Sequence, residues 1–308
     1  MLGEEHPQTL TAMNSLALTC LYRNKDEESE RLSEQVVRIR TRVLGPEHTD
    51  TLLAMHNLAL AQSEQGKYEQ AEQLFSKVVA TQTRVLGPQH PDTLLSAHDF
   101  ALTYRGHGKY VEAAALYERT DELERKTLGE EHPDTLLSLA DLGTVDHALG
   151  KYAEAEAHLT RAFDLRRKNS GEQHPETVRA MVYLADVYRH AGSYRKAEEL
   201  GARTVELLKR VRGPEHPSTL SAMASLASTL RTWANPCAPA KLRSRPGIFG
   251  AGDWNRMIRT RWEASTSSPR FESASGTTKA RSNCSPIGRP SNPINGRSIT
   301  RRACSAQV

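Results

Sequence analysis

Apolar positions over residues 1–231 fall at helical spacing, and the pattern is interrupted at regular intervals. In Pro91 to Arg105, Leu94, Ala97, Ala101 and Tyr104 recur three or four positions apart, which predicts an amphipathic helix. Pro91 suits the first helical position, His90 is held extended by that proline and serves as the cap, and Asp92 places negative charge where the helix dipole favours it. The turn Gly108-Lys109-Tyr110 then ends this helix and opens a second, in which Ala113 is small enough for close helix approach. That second helix finishes on Lys126, a cation at the negative end of the dipole, and Leu128-Gly129 closes the unit, with the glycine expected in the left-handed conformation.

The unit returns at one spacing. Gly3, Gly45, Gly87, Gly129, Gly171 and Gly213 lie 42 residues apart, as do His6, His48, His90, His132, His174 and His216. The turn recurs at Gly66-Lys67-Tyr68, Gly150-Lys151-Tyr152 and Gly192-Ser193-Tyr194, the small residue at Ala71, Ala155 and Ala197, and the closing cation at Arg42, Arg84, Lys168 and Arg210. A period of this length indicates stacked supersecondary units, each unable to bury its apolar face alone. Three places depart from it. The first repeat has Asn24-Lys25-Asp26 and Ser29 in place of the turn and the alanine, so an irregular second helix is expected there. In the fourth, Gly143 stands for the packing alanine and Asp146 for the aromatic, which is expected to loosen that helix. In the sixth, Ala234-Asn235-Pro236 replaces Gly-Lys-Tyr, which leaves five hairpins and one unpaired helix.

The combination G-x-x-H-P-x-T-L, L-A and G-K-Y-x-x-A-E, seen for example in His48 to Leu52 with Thr49 at the proline position, Leu58-Ala59 and Gly66 to Glu72, resembles the tetratricopeptide repeat (TPR) family in its 42-residue, kinesin-light-chain-like branch. The resemblance covers residues 1–231. It implies an all-α solenoid of helix hairpins, wound as a right-handed superhelix, with a concave groove lined mainly by each first helix. Similar repeats also form the sensor ends of NTPase receptors.

Charge divides the chain. From Thr232 onward 13 Lys and Arg stand against 3 Asp and Glu, a balance of +10, which leaves 28 against 34, or −6, for the repeats. An acidic repeat region argues against nucleic acid as its main partner, since phosphate binding needs clustered cations. Residues 232–308 are rich in Ser, Pro, Gly and Arg, carry no helical period and read as a disordered tail. That tail is either a frame-shifted end of the array or a basic arm for nucleic acid or acidic surfaces. Trp233, Trp254 and Trp262 all fall in it. Cys20, Cys237, Cys284 and Cys304 form neither a disulfide framework nor a zinc knuckle, and no apolar run is long enough to span a bilayer. A cytoplasmic protein without membrane contact is expected. The sequence opens on the repeat with no heptad segment ahead of Gly3, which reads as a fragment or a free-standing module and speaks against motor attachment.

Catalytic chemistry finds no support. No metalloprotease, P-loop or nucleophile-elbow motif is present, and Gly106-His107-Gly108-Lys109 lies between helices with no preceding strand. The six motif histidines sit in units about 10 Å apart, too far to share a zinc ion bonded at about 2.0 Å. No catalytic residue, metal site or cofactor is therefore expected.

The groove is the better candidate. Carried over from the family, its positions are Asn14, Leu53, His56, Leu60, Leu95, His98, Leu102, Arg105, Leu137, His147, Arg179, Asp186 and Arg189. The N-terminal part is apolar around two histidines, and the C-terminal part is charged. Leu60 and Leu102 replace the Lys and Asn of TPR domains that clamp a chain-terminal carboxylate, so a chaperone-tail role is disfavoured. Packing of the same leucines against the adjacent helix is an equal alternative. The function expected is a non-catalytic scaffold for a protein or peptide, with a sensor or regulatory piece of a larger NTPase receptor or enzyme as the second reading. Leu220, Met223, Leu226 and Leu230 on the last helix suggest self-association.

Overall fold

The protein is described here by a computed structural model over residues 3–23 and 25–234. Among these residues there are eleven helices and no strand: α1 (Pro7–Tyr22), α2 (Asp26–Leu44), α3 (Thr49–Glu64), α4 (Tyr68–Val85), α5 (Pro91–Gly106), α6 (Tyr110–Thr127), α7 (Pro133–Ala148), α8 (Tyr152–Ser170), α9 (Pro175–His190), α10 (Tyr194–Arg212) and α11 (Pro217–Ala234). Each helix packs on its chain neighbours, so five hairpins and a single last helix stack in series.

The helix starts follow the expected chemistry. In every unit the repeat histidine accepts through Nδ1 from the backbone N–H two residues on, as in Asp92 N to His90 Nδ1 and Asp134 N to His132 Nδ1, both 3.2 Å. One of the four orphan donors at each N-terminus is thereby satisfied. The hairpin turn is a Schellman motif: after α3, Gly66 N bonds Ser63 O at 3.0 Å and Lys67 N bonds Gln62 O at 2.9 Å. Gly66, at φ 76°, takes the positive φ that this closure needs. The glycine between repeats differs from expectation. Gly45 has φ 92° but ψ 163°, so it is extended with positive φ, a region open essentially to glycine alone, and not left-handed helical.

Two expected defects are absent. The helix α2 runs unbroken for 19 residues, and Ser29 serves in the alanine's place because its hydroxyl donates to Ala17 O at 2.8 Å. The helix α7 is equally continuous, and Gly143 makes room for a larger neighbour: a Cβ there would lie 2.7 Å from Leu159 Cγ. Ala71, Ala113, Ala155 and Ala197 are buried at the close approaches, and apolar clusters link successive units, as where Ala59, Ala71 and Phe75 of the second repeat meet Phe100 of the third.

The last helix continues to Ala234, three residues past the expected end of the array, and takes in Trp233. Its face is also less bare than expected. Met223 and Leu226 pack on the cluster of α9 and α10, and Leu220 stands out at 53% exposure. The expectations for the rest of the tail, including its disorder, its three cysteines, Trp254 and Trp262, lie outside the described residues. No helix among the described residues is long and apolar enough to cross a membrane.

The first helices touch one another along the stack, α1 with α3, α3 with α5, α7 with α9 and α9 with α11, whereas no two second helices pack to the same extent among the described residues. Closer approach on that side makes the first helices the inner wall of the curve.

Candidate functional site

The inner wall has a floor and a lining. Its floor is a series of hydrogen bonds between corresponding positions of successive first helices. Asn57 of the second repeat donates to Asn14 of the first at 2.9 Å. One unit along, His56 lies 3.0 Å from Ser96 Oγ and 3.3 Å from Asp99, and the next pair repeats this with His98, Ser138 at 3.0 Å and Asp141 at 3.5 Å. Asn14, His56 and His98 are 8%, 4% and 1% exposed, so the structure places these three candidates beneath the surface with partners. After Asp141 the polar series gives way to an apolar contact, because Ala140 and Tyr183 hold the corresponding positions.

Asp141 is the junction. Besides His98 it receives Arg105 Nη1 at 3.1 Å, and Arg105 also reaches Thr144 at 3.1 Å. Burial opposes the charge on Asp141, but Arg105, Arg179, His98 and Arg166 outweigh it and hold the carboxyl below its ordinary range. Burial likewise opposes the charge on Arg105, and Asp141 overcomes it and raises its pKa.

The lining above this floor divides in two. Leu53 and Leu60 on α3 and Leu95 and Leu102 on α5 are half-buried at matching positions of two units, with Leu60 packed against the cluster of Phe75 and Phe100; Leu137, the next in line, is fully buried. Beyond Arg105 the same series of positions carries His147, Arg179, Asp186 and Arg189, all half-buried. Arg189 grips Asp186 through Nε at 3.0 Å and through Nη2, and Arg179 pairs with Glu176 on its own helix. His147 and His190 meet across α7 and α9 with Nε2 and Nδ1 at 2.6 Å. Burial above all pushes both imidazoles below their usual pKa and so favours the neutral form, although Asp186 pulls the other way.

His190 was not among the sequence candidates. It lies one position past the repeat register of Arg105, His147 and Arg189, and the readable signal for it is Asp186-x-x-x-His190, which puts both side chains on one face of α9. The Gly106-His107-Gly108-Lys109 segment is a hairpin turn, with His107 stacked on Tyr68 and both His107 and Lys109 paired with Glu72. A cleft among α9, α10 and α11 encloses about 10 Å³, enough for one water and far below a small-molecule site.

This wall of stacked hairpins agrees with the comparisons. The tetratricopeptide repeat pattern matches residues 20–82, 53–120, 122–168, 145–209 and 176–236. A Podosopora anserina protein of the kinesin-light-chain type, built of nearly identical TPR-like repeats, is 31% identical; the match covers 68% of this chain and 99% of that one, with a TM-score of 0.61. Two others share the fold at 16% identity. BtubC (BKLC) from P. vanneervenii matches over 89% of this chain and 99% of its own with a TM-score of 0.53. The Pyrococcus horikoshii signal-transduction ATPase with a TPR sensor matches over 85% of this chain and 37% of its own with a TM-score of 0.61. No curated protein matches significantly. The chain belongs to the tetratricopeptide repeat family, in its kinesin-light-chain-like branch of 42-residue units.

Proposed function

We propose that this TPR scaffold captures an extended peptide along its inner wall. The observation that carries the reading is the strip of half-buried leucines, Leu53, Leu60, Leu95 and Leu102, repeated on two successive inner helices above a floor that is already hydrogen-bonded. Apolar side chains of a ligand would lie over these leucines. Its polar or charged groups would meet Arg105, His147, Arg179, Asp186 and Arg189 further along, the usual division between pockets that hold and groups that orient. Among the described residues serine and histidine meet at Ser96–His56 and Ser138–His98, but all four are buried and closed to a substrate, and the role is that of a non-catalytic adaptor of the kinesin-light-chain kind.

The test is affinity capture with the full chain and with Leu60→Asp/Leu102→Asp. The double variant is expected to lose its partners while circular dichroism reports the same helix content. Partners retained at equal yield would exclude the apolar strip. The likeness to the P. horikoshii protein motivates a second reading, a sensor piece of a larger ATPase, in which the same wall receives a signal rather than a cargo. Genomic sequence upstream of Met1 separates them, since a coiled coil there favours the adaptor and a P-loop NTPase the sensor. Self-association would engage Leu220, and sedimentation of Leu220→Asp beside the parent chain tests it.

A further inference from the structure

Two imidazoles and a carboxylate converge where α7 meets α9. His147 Nε2 and His190 Nδ1 are 2.6 Å apart, and Asp186 Oδ2 lies 3.9 Å from the first and 3.7 Å from the second. The three ligand atoms fall within 4.8 Å of one another. Tetrahedral zinc with bonds of about 2.0–2.1 Å sets its ligand atoms about 3.3 Å apart. The triangle therefore needs its nitrogens to part by about 0.7 Å and its oxygen to approach by a few tenths. All three side chains reach solvent, His190 exposed and the other two half-buried, so these are side-chain rotations and not a rearrangement of the core.

We propose that His147, Asp186 and His190 form a binding site for a divalent transition-metal ion of the zinc type, open at its fourth position to water.

The chemistry of the donors fits. Imidazole and carboxylate together suit zinc and neighbouring ions, whereas magnesium and calcium call for oxygen alone. In the metal-free protein one proton occupies the contact between the rings. On binding it leaves that contact for the far nitrogen of its own ring, so both facing nitrogens offer lone pairs and no proton need be released. The surroundings hold the ligands in place. The Tyr152 ring stacks on His190 with centroids 6.3 Å apart and planes 10° from parallel, and Arg189 fixes Asp186 by its other oxygen. Two elements oppose it: Arg189, a cation beside the ion's position, and the Asp186 carbonyl, which lies 3.1 Å from His190 Nδ1 and whose hydrogen bond that nitrogen gives up on binding a metal. Because His147 belongs to the fourth repeat and the other two ligands to the fifth, a bound ion would cross-link two units that meet mainly through apolar packing. This site stands independently of the peptide-binding reading.

Calorimetric titration of the full chain with zinc chloride tests it, beside His190→Ala, His147→Ala and Arg189→Gln, each checked for unchanged helix content. The parent chain is expected to bind one ion that either histidine variant weakens by at least about tenfold, a loss on the scale reported even for partners outside the ligand shell. Arg189→Gln is expected to bind more tightly, since the competing cation is gone, and magnesium chloride is expected to give no heat. The unfolding midpoint should rise with zinc in the parent and stay fixed in His190→Ala. Equal zinc affinity and stoichiometry in the parent and both histidine variants would overturn the assignment by moving the ion to other groups, such as the cysteines. Absence of any zinc heat in the parent would overturn it outright.

Discussion

The two ends of the inner wall solve the stacking problem differently. Between the first and fourth repeats the first helices are tied by polar side chains, Asn14 to Asn57, His56 to Asp99 and His98 to Asp141, and the half-buried positions above them are leucine. Between the fourth and fifth the floor is apolar at Ala140 and Tyr183, and charge and imidazole have moved to the positions above. Each first helix offers two kinds of inner position, one that meets the next unit and one that meets solvent. Where the polar groups take the first, the second is free to be apolar, and the reverse. Asp141 and Arg105 stand at the change, so the wall's two characters meet at one ion pair.

The largest expected effect breaks that junction. Asp141→Ala leaves Arg105 and His98 facing a buried gap and should cost about 3 kcal/mol, the low end for a broken buried pair because Arg105 is partly solvated. Asp99→Ala, which strands only His56, should cost about half as much. Urea unfolding of both gives the ratio, and equal losses would mean that the junction is no different from the steps before it. Next comes Gly143→Ala. A methyl group 2.7 Å from Leu159 Cγ overpacks the fourth hairpin, and after the better helix propensity of alanine is set against it the net loss should be about 1–2 kcal/mol. A gain would show that Leu159 can yield. His90→Ala and His174→Ala each remove one cap and should cost about 1 kcal/mol alike, which would sharpen the comparison by showing that the ends differ in their floors and not in their helix starts.

The smallest effect is one of pH. The folded state favours neutral His147 and His190, so their stabilisation is complete above the unfolded pKa of about 6.5 and declines as pH falls below it. Asp141 contributes in a different window, because its lowered pKa keeps its stabilisation until pH drops below about 4. Between about pH 7.5 and 5.5 the fourth and fifth repeats should lose less than about 1 kcal/mol, with solvent screening of the half-exposed rings allowed for. Hydrogen exchange would record this as lost protection in α7 and α9 relative to α1 and α3.

What was legible in the sequence was local. A histidine before proline, a glycine at the hairpin turn and a small residue three positions after the turn tyrosine each act within one unit, so their repetition reveals them without coordinates. What was illegible depended on a partner elsewhere. Ser29 reads as a defect until the Ala17 carbonyl is found opposite it, and Gly143 reads as a weakness until Leu159 fills its space. The candidate wall shows the same limit. Phase along the helix brought out its positions, but not that Asn14, His56 and His98 would be used up by the next unit, nor that His147 would find a partner outside its own register in His190.

The rungs of the floor have one further consequence. Each joins residues 40 to 43 positions apart, so each spans a single repeat length. A pull on the two ends of the array would thus be transmitted through the units in series, with no tie that bypasses a neighbour among these rungs. The chain would stretch as a spring stretches, each coil yielding a little, and its first break would come at the weakest coil. Between the fourth and fifth repeats the tie differs in kind, an imidazole contact above apolar packing, and a bound ion there would stiffen that coil.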